Sequence, residues 1–283
     1  MLNEYYKDID RYLNFSHSRD DIPQIQMDFH LHNLYEVYFF ISGDVNYFIE
    51  KKVYNLKYGD LLVMNSHEIH KPSFLSKQPY ERKLIHFDPS FIQMFAPPGF
   101  DLLHCFEKRP KGEFNKISYS KAQFTNILSL FSRLEQAKNS VSGESGLLLL
   151  TFFLEFLVEL NRCFKGAQQD EVHPNIPEKL IPILDYIDEN LESDLTLTSL
   201  SKRFFINGSY LSRLFKNSTG SNLHEYIVYK RISRAKTLLS SGNSVTEASL
   251  QSGFNDYSNF LKVFKKTVGM SPGQYRMSSG QGN

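Results

Sequence analysis

The sequence predicts a two-domain chain: a β-barrel carrying two appended helices, followed by an all-α module in which a helix-turn-helix unit occurs twice. Three observations predict it. Short runs rich in Val, Ile, Tyr and Phe fill the N-terminal part, two long helical stripes follow, and the C-terminal part alternates cap residues with short amphipathic patterns. With 283 residues, 41% hydrophobic and 22% charged, the chain has material for two packed cores.

The first 15 residues, MLNEYYKDIDRYLNF, are acidic and lack an apolar run leading to a small-residue cleavage site, so no signal peptide is expected. YEVYFFI, VNYFIE, VYNL, DLLVMN and RKLIHF then read as strands, punctuated by Ser-Gly-Asp, Lys-Lys and Gly-Asp, in a barrel or sandwich ending near residue 118. Two amphipathic helices are expected, roughly Ser120 to Lys138 and Gly143 to Lys165. The most apolar stretch, Leu147 to Leu160, has 14 residues and includes Glu155. That falls short of the ~20 apolar residues a membrane helix needs, so it reads as a buried helix and no membrane partner is expected. Cys105 and Cys163 lie far apart and outside any Cys-x-x-Cys pattern, which fits a reducing cytoplasm and suggests neither a disulfide framework nor a cysteine metal site. Residues 1–165 thus form the first domain, the polar stretch KGAQQDEVHPNIP marks a linker over 166–177, and 178–283 form the second.

In the second domain, Pro177 suits a helix start, and Leu180, Ile183, Leu184, Ile187 and Leu191 follow at helical spacing. Thr196 caps a short helix bearing Leu197, Leu200 and Phe204, and Asn207 caps GSYLSRLFKNST, which Gly220 stops. A long helix spans about Asn222 to Ser240, with Val228, Ile232, Ala235 and Leu239 on one stripe. Lys230, Arg231, Arg234 and Lys236 in its C-terminal half suit the negative end of the helix dipole. Gly242 ends it, Ser244 to Glu247 is a capping box, Gly253 breaks the next helix, and Asn255 or Asp256 caps another through Lys266 that Gly269 stops. Ser271-Pro272 opens a last short helix ending near Tyr275. Two short helices joined by a tight turn have now appeared twice.

Charge separates the two parts. From Leu195 onward 12 Lys and Arg face three acidic residues, a net of +9, whereas residues 1–194 carry −8. A basic module of paired helical hairpins suits a polyanion. A linking helix of ~19 residues spans roughly 28 Å, close to the ~34 Å between successive major-groove faces, so one chain can place two helices in adjacent grooves. YLSRLFKNSTG over 210–220, the Arg231 to Leu239 run, and GF-x-D-x-S-x-F-x-x-x-FKK-x-x-G-x-SP-x-x-YR over 253–276 closely resemble the C-terminal domain of the AraC family of bacterial transcription regulators. The resemblance implies double-stranded DNA as a partner. It implies that Ser209, Ser212 and Arg213 face base edges with Lys216 nearer phosphate, and that Tyr257, Ser258, Leu261 and Lys262 do the same in the second unit with Lys265 and Lys266 toward the backbone. Phe215, Phe254, Phe260 and Phe264 read as core. Ser201 and Ser249 stand where the family usually has alanine and Ala248 where it has a larger aliphatic, so the second unit's first helix is expected to pack less fully. Lys262 stands for a frequent arginine and lacks its planar fork, so the second unit is expected to read DNA more loosely.

In the N-terminal domain, His30-x-His32-x-x-x-Glu36, then Gly43, Gly59-Asp60 and His70, is similar to the two motifs of the cupin superfamily, giving a cupin-like sensor barrel. In an extended chain His30, His32 and Glu36 share one face with Tyr38. Two uses remain open for them. Metal-binding cupins would hold one divalent ion with His30, His32, Glu36 and His70, a set suited to Zn, Fe, Mn or Ni. The preferred reading is a metal-free pocket for a small polar effector, with a sugar or oligosaccharide favoured, lined by His30, His32, Glu36, Tyr38, Tyr47, His70 and His86. No catalytic residue and no cofactor is expected. The resemblance further implies a homodimer through the helices in 120–165, a role as activator, and RNA polymerase as a partner. A regulator without effector, a metal-sensing regulator and a cupin metalloenzyme with a nucleic-acid-binding tail remain alternatives.

Overall fold

The computed structural model describes residues 9–23, 29–166 and 176–279; most of the expected linker lies outside the described residues. Eight strands, β1 (Leu13–Asp20), β2 (Tyr35–Ser42), β3 (Val45–Ile49), β4 (Lys52–Asn55), β5 (Leu61–Met64), β6 (His70–Phe74), β7 (Tyr80–Phe87) and β8 (Lys116–Ile117), form two antiparallel sheets. The larger runs β1-β7-β2-β5-β8 and the smaller β4-β3-β6. Short helices α1 (Ile9–Tyr12), α2 (Pro89–Gln93) and α3 (His104–Glu107) border them, and α4 (Lys121–Asn139) and α5 (Ser145–Gly166) cover one face.

Strand β2 is buried along six consecutive residues because both of its faces are occupied. Val37 and Phe39 turn toward Phe131, Phe153 and Phe156 of α4 and α5, while Tyr38 and Phe40 turn inward toward Tyr47, Leu62 and Tyr80. Ser120 and Gln123 close a capping box on α4. Helix α5 buries Leu149, Leu150, Phe153, Phe156, Leu157 and Leu160, and leaves Leu148, Phe152, Leu154 and Val158 half-covered. No helix among the described residues is long and apolar enough to cross a membrane.

The C-terminal part holds α6 (Ile181–Glu189), α7 (Leu197–Arg203), α8 (Gly208–Thr219), α9 (Leu223–Ser240), α10 (Val245–Gln251), α11 (Tyr257–Val268) and α12 (Pro272–Ser279). The expected caps form: Thr196 accepts from Ser199 N, Asn207 from Tyr210 N, Asn222 from Glu225 N and Asp256 from Asn259 N. Gly220 and Gly269 end α8 and α11 in the left-handed conformation. Helix α9 is the spine, burying Tyr226, Ile227, Ile232, Ala235 and Leu239 against both helical hairpins. Phe215, Phe260 and Phe264 are fully buried and Phe254 nearly so, in the core role expected of them.

Several elements differ from the sequence reading. Strands β1, β6 and β8 were not expected; β1 is largely polar, and β6 contains Pro72, which an edge strand tolerates because it lies outside β3. Helix α6 starts at Ile181 with Pro182 in its first turn, whereas Pro177 lies in the preceding turn. Helix α12 runs on to Ser279 rather than ending near Tyr275.

Candidate functional sites

The inward face of the larger sheet and the smaller sheet enclose a cavity of about 210 Å³. His30, His32, Glu36, Tyr38, Tyr47 and His86 all line it, as the sequence reading expected, and His70 is buried beside them. The route differs from that expected, because residues 33 and 34 bend the chain before β2 begins, so His32 and Glu36 are not in one extended strand. The bend lets His32 Nδ1 donate to Leu34 O at 2.8 Å. Pro72, Tyr80, Arg82 and Leu84 complete the wall and were missed. Three of them had a signal: Tyr80, Arg82, Leu84 and His86 are alternate residues of β7, so locating His86 locates the others.

Glu36 organises the pocket. Its Oε2 lies 3.0 Å from His32 Nε2, 3.0 Å from His86 Nε2 and, off the hydrogen-bond line, 3.3 Å from His70 Nε2. Tyr47 donates to its Oε1 at 3.3 Å, and the Tyr38 and Tyr80 hydroxyls meet at 2.7 Å. Burial pushes the Glu36 carboxyl up, but the charge of His70 and the histidine hydrogen bonds outweigh it and hold the group well below the usual range. Burial pulls His70 down, yet the Glu36 carboxylate wins and raises it. Burial, then the His70 charge, brings His30 to about 4, and burial also lowers His32. Burial thus keeps His30 and His32 toward their neutral forms, while the Glu36 carboxylate favours the charged form of His70.

The donor set also fits a divalent ion. Nδ1 of His32 and of His70 donate to the carbonyls of Leu34 and Glu68, so in a neutral ring each Nε2 turns a lone pair toward Glu36. The tightest set is His32, Glu36 and His86, whose ligand atoms lie within 4.8 Å of one another. His86 thus stands in that set where the sequence reading had His30 and His70.

On the other domain, Ser209, Arg213, Lys216, Tyr257, Ser258, Lys262, Lys265 and Lys266 are exposed, and Ser212 and Leu261 are half-buried, along α8 and α11. Among the described residues, none of these five cations is in an ion pair. The basic residues of α9 behave differently. Lys230 pairs with Glu50 at 2.6 Å and Asp188 at 2.8 Å, Arg234 with Glu192 at 2.6 Å, and Arg231 and Lys236 donate to carbonyls. Four of the 12 C-terminal cations are therefore committed internally rather than to the helix dipole.

Two family models match: an AraC-like ligand binding domain over residues 12–153 and a helix-turn-helix domain over 200–278. The chain belongs to the AraC family of transcription regulators. As an AraC-family member it combines a β-rich ligand-binding domain with a helical DNA-binding domain, and it is a regulator rather than an enzyme. It is 23% identical over 248 residues to the HTH-type transcriptional activator RhaR of Mannheimia succiniciproducens, covering 87% of this chain and 86% of that protein. It is 27% identical over 278 residues to the melibiose operon regulatory protein of Escherichia coli strain K12, covering 92% and 86%. Among solved structures it is similar to the C-terminal domain of AraT, a response regulator from Geobacillus stearothermophilus. That match has 28% identity and a TM-score of 0.36, over 37% of this chain and 88% of that one.

Proposed function

We propose that this regulator is a cytoplasmic, sugar-responsive activator whose N-terminal pocket binds a neutral polar effector of monosaccharide size. The buried Glu36 cluster carries this reading. The Glu36 carboxylate is already met by three imidazoles and the Tyr47 hydroxyl, so the guest need bring no cation, while the imidazoles and tyrosine hydroxyls bond hydroxyl groups and the Tyr38 and Tyr47 rings pack on apolar sugar faces. A cavity of about 210 Å³ is below the ~300–1,000 Å³ usual for drug-sized guests, which favours a single sugar ring over an oligosaccharide. The kinship to an activator and to a melibiose operon regulator supports the same class.

Effector binding shifts the population of domain arrangements toward one that lets α8 and α11 occupy successive major-groove segments. Arg213, exposed and free of ion pairs among the described residues, reads a guanine bidentately. Ser209, Ser212, Tyr257, Ser258, Leu261 and Lys262 line base edges, and Lys216, Lys265 and Lys266 neutralise phosphates. The half-covered apolar face of α5, with α4, joins two copies, and the bound dimer meets RNA polymerase.

A second reading rests on the tied Nδ1 of His32: with its proton there, the neutral ring turns the Nε2 lone pair toward the Glu36 carboxylate, and a divalent ion held by His32, Glu36 and His86 would relieve that opposition and itself be the signal. One experiment separates the two. Thermal melting of the full chain is followed with a panel of monosaccharides and disaccharides, and with Zn²⁺ or EDTA, and DNA selection is repeated with any stabiliser. A sugar that raises Tm and alters the selected duplex, with EDTA inert, supports the effector. Stabilisation by Zn²⁺ that His86→Ala abolishes, with every sugar inert, replaces it with the metal reading. No sequence-selective duplex under any condition overturns both.

A further inference from the structure

The smaller sheet has two working faces. Pro72 pairs with Tyr47 across β6 and β3 and both line the pocket; the neighbouring pair, Lys71 with Phe48, points the other way. The segment before β2 repeats the pattern, His30 and His32 lining the pocket while Phe29 and Leu31 pack into the C-terminal core. Phe29 and Phe48 meet the ring of Tyr226 on α9 at 6.1 and 6.0 Å, and Tyr226 in turn meets Phe215 of α8 at 5.4 Å. The wall of the pocket is therefore one strand layer thick, and its far side is the DNA-binding domain.

Two buried lysines fasten that wall. Lys71 Nζ donates to Gly220 O at 3.1 Å and Ser221 Oγ at 2.5 Å, at the C-terminal end of α8, and a Cβ at Gly220 would come within 2.5 Å of Ser73 Oγ. Lys236 Nζ on α9 donates to the carbonyls of His32 at 3.0 Å and Ser66 at 2.5 Å. One fastening thus flanks His70 and Pro72, and the other holds the backbone of His32 itself.

We propose that Lys71 and Lys236 are positioning residues that carry occupancy of the pocket to the DNA-binding domain, Lys71 to the C-terminal end of α8 and Lys236 to α9. A guest that displaces His32 or the His70–Pro72 segment moves the atoms these lysines grip. Because the side chains alternate, a shift of the strand on the pocket side is the same shift on the DNA-domain side. The inference builds on the effector-pocket reading, but its test needs no effector. Glu36→Gln, and separately Tyr47→Phe, which removes only a hydroxyl, perturb the pocket in the full chain. Amide hydrogen exchange is then read over residues 216–221 and 230–236, together with affinity for the duplex selected by the unaltered chain.

Each perturbation is expected to change exchange in 70–74 and in both distant segments, and to change DNA affinity by about tenfold, a usual size for coupling between sites. In a Lys71→Met, Lys236→Met background the change in 70–74 should persist while the distant segments and DNA affinity stop responding. If the distant segments ignore both pocket variants, or respond equally in the double-methionine background, the two lysines do not carry the signal. Failure of the sugar screen alone leaves this result standing.

Discussion

Ser249 shows how one hydroxyl sets local stability. It is almost fully buried on α10, and its Oγ has no hydrogen-bond partner among the described residues. Ser201, its counterpart on α7, bonds Leu197 O at 2.6 Å. Looser packing was expected of the second unit's first helix, yet Ala248 and Ser249 are both almost fully buried, and what distinguishes the helix is a desolvated polar group beside the core. Ser249→Ala should raise the unfolding free energy by about 1 kcal/mol, because the methyl group removes an uncompensated desolvation cost. Denaturant unfolding checks it, and an unchanged or lower midpoint would show that the hydroxyl is satisfied in solution. The departure from alanine was visible in the sequence; that its oxygen meets nothing was not, since that depends on how neighbouring helices close over it.

At the scale of elements, the C-terminal helices were legible because their ends are written in local chemistry: Thr196, Asn207, Asn222, Ser244 and Asp256 each cap within three residues. Gly253 was legible as a break but not as a contact. Its φ is +88°, and a Cβ there would sit 2.0 Å from Leu191 O, so the requirement is as much tertiary as local. Strands β1 and β6 were illegible for the converse reason, since polar or proline-bearing segments become strands only when a partner strand fixes them. The turn between α7 and α8 contains an oddity of its own. Phe205 follows the C-cap Phe204 with φ +50° and is 97% exposed, in the position where helices favour glycine. A β-carbon in this conformation costs about 1–2 kcal/mol, partly offset by glycine's greater freedom when unfolded. Phe205→Gly should therefore stabilise the chain by up to about 1 kcal/mol in denaturant unfolding. A clear loss would mean that the ring packs on something in solution.

Across the whole molecule, the docking of the two domains was the feature furthest from the sequence. Lys230 and Lys236 looked like cations suited to a helix end, but their partners in the N-terminal domain lie 170 to 204 residues away and include carbonyl oxygens that no residue pattern marks. Lys230 is matched: burial pulls it down, Glu50 and Asp188 outweigh that, and its pKa rises to about 12. Lys236 is not matched by any carboxylate among the described residues. Burial, reinforced by Lys111, brings it from 10.5 to about 7; His67 and the Tyr275 ring, 5.6 Å away, are its other neighbours. The neutral amine still has two N–H groups for its two carbonyl acceptors, so docking survives deprotonation. Between pH 7 and 10.5 the unfolded chain holds a proton on Lys236 that the folded chain has lost. This residue's contribution therefore strengthens folding as pH rises through that window and is level below it. Other groups titrate too, His70 in the opposite sense, so the comparison is with Lys236→Met. The unfolding free energy of the unaltered chain should rise relative to the variant from pH 7 to 10, at no more than about 1.4 kcal/mol per pH unit. Parallel curves would mean that Lys236 keeps its proton, with water or a rearranged carboxylate reaching it in the docked interface.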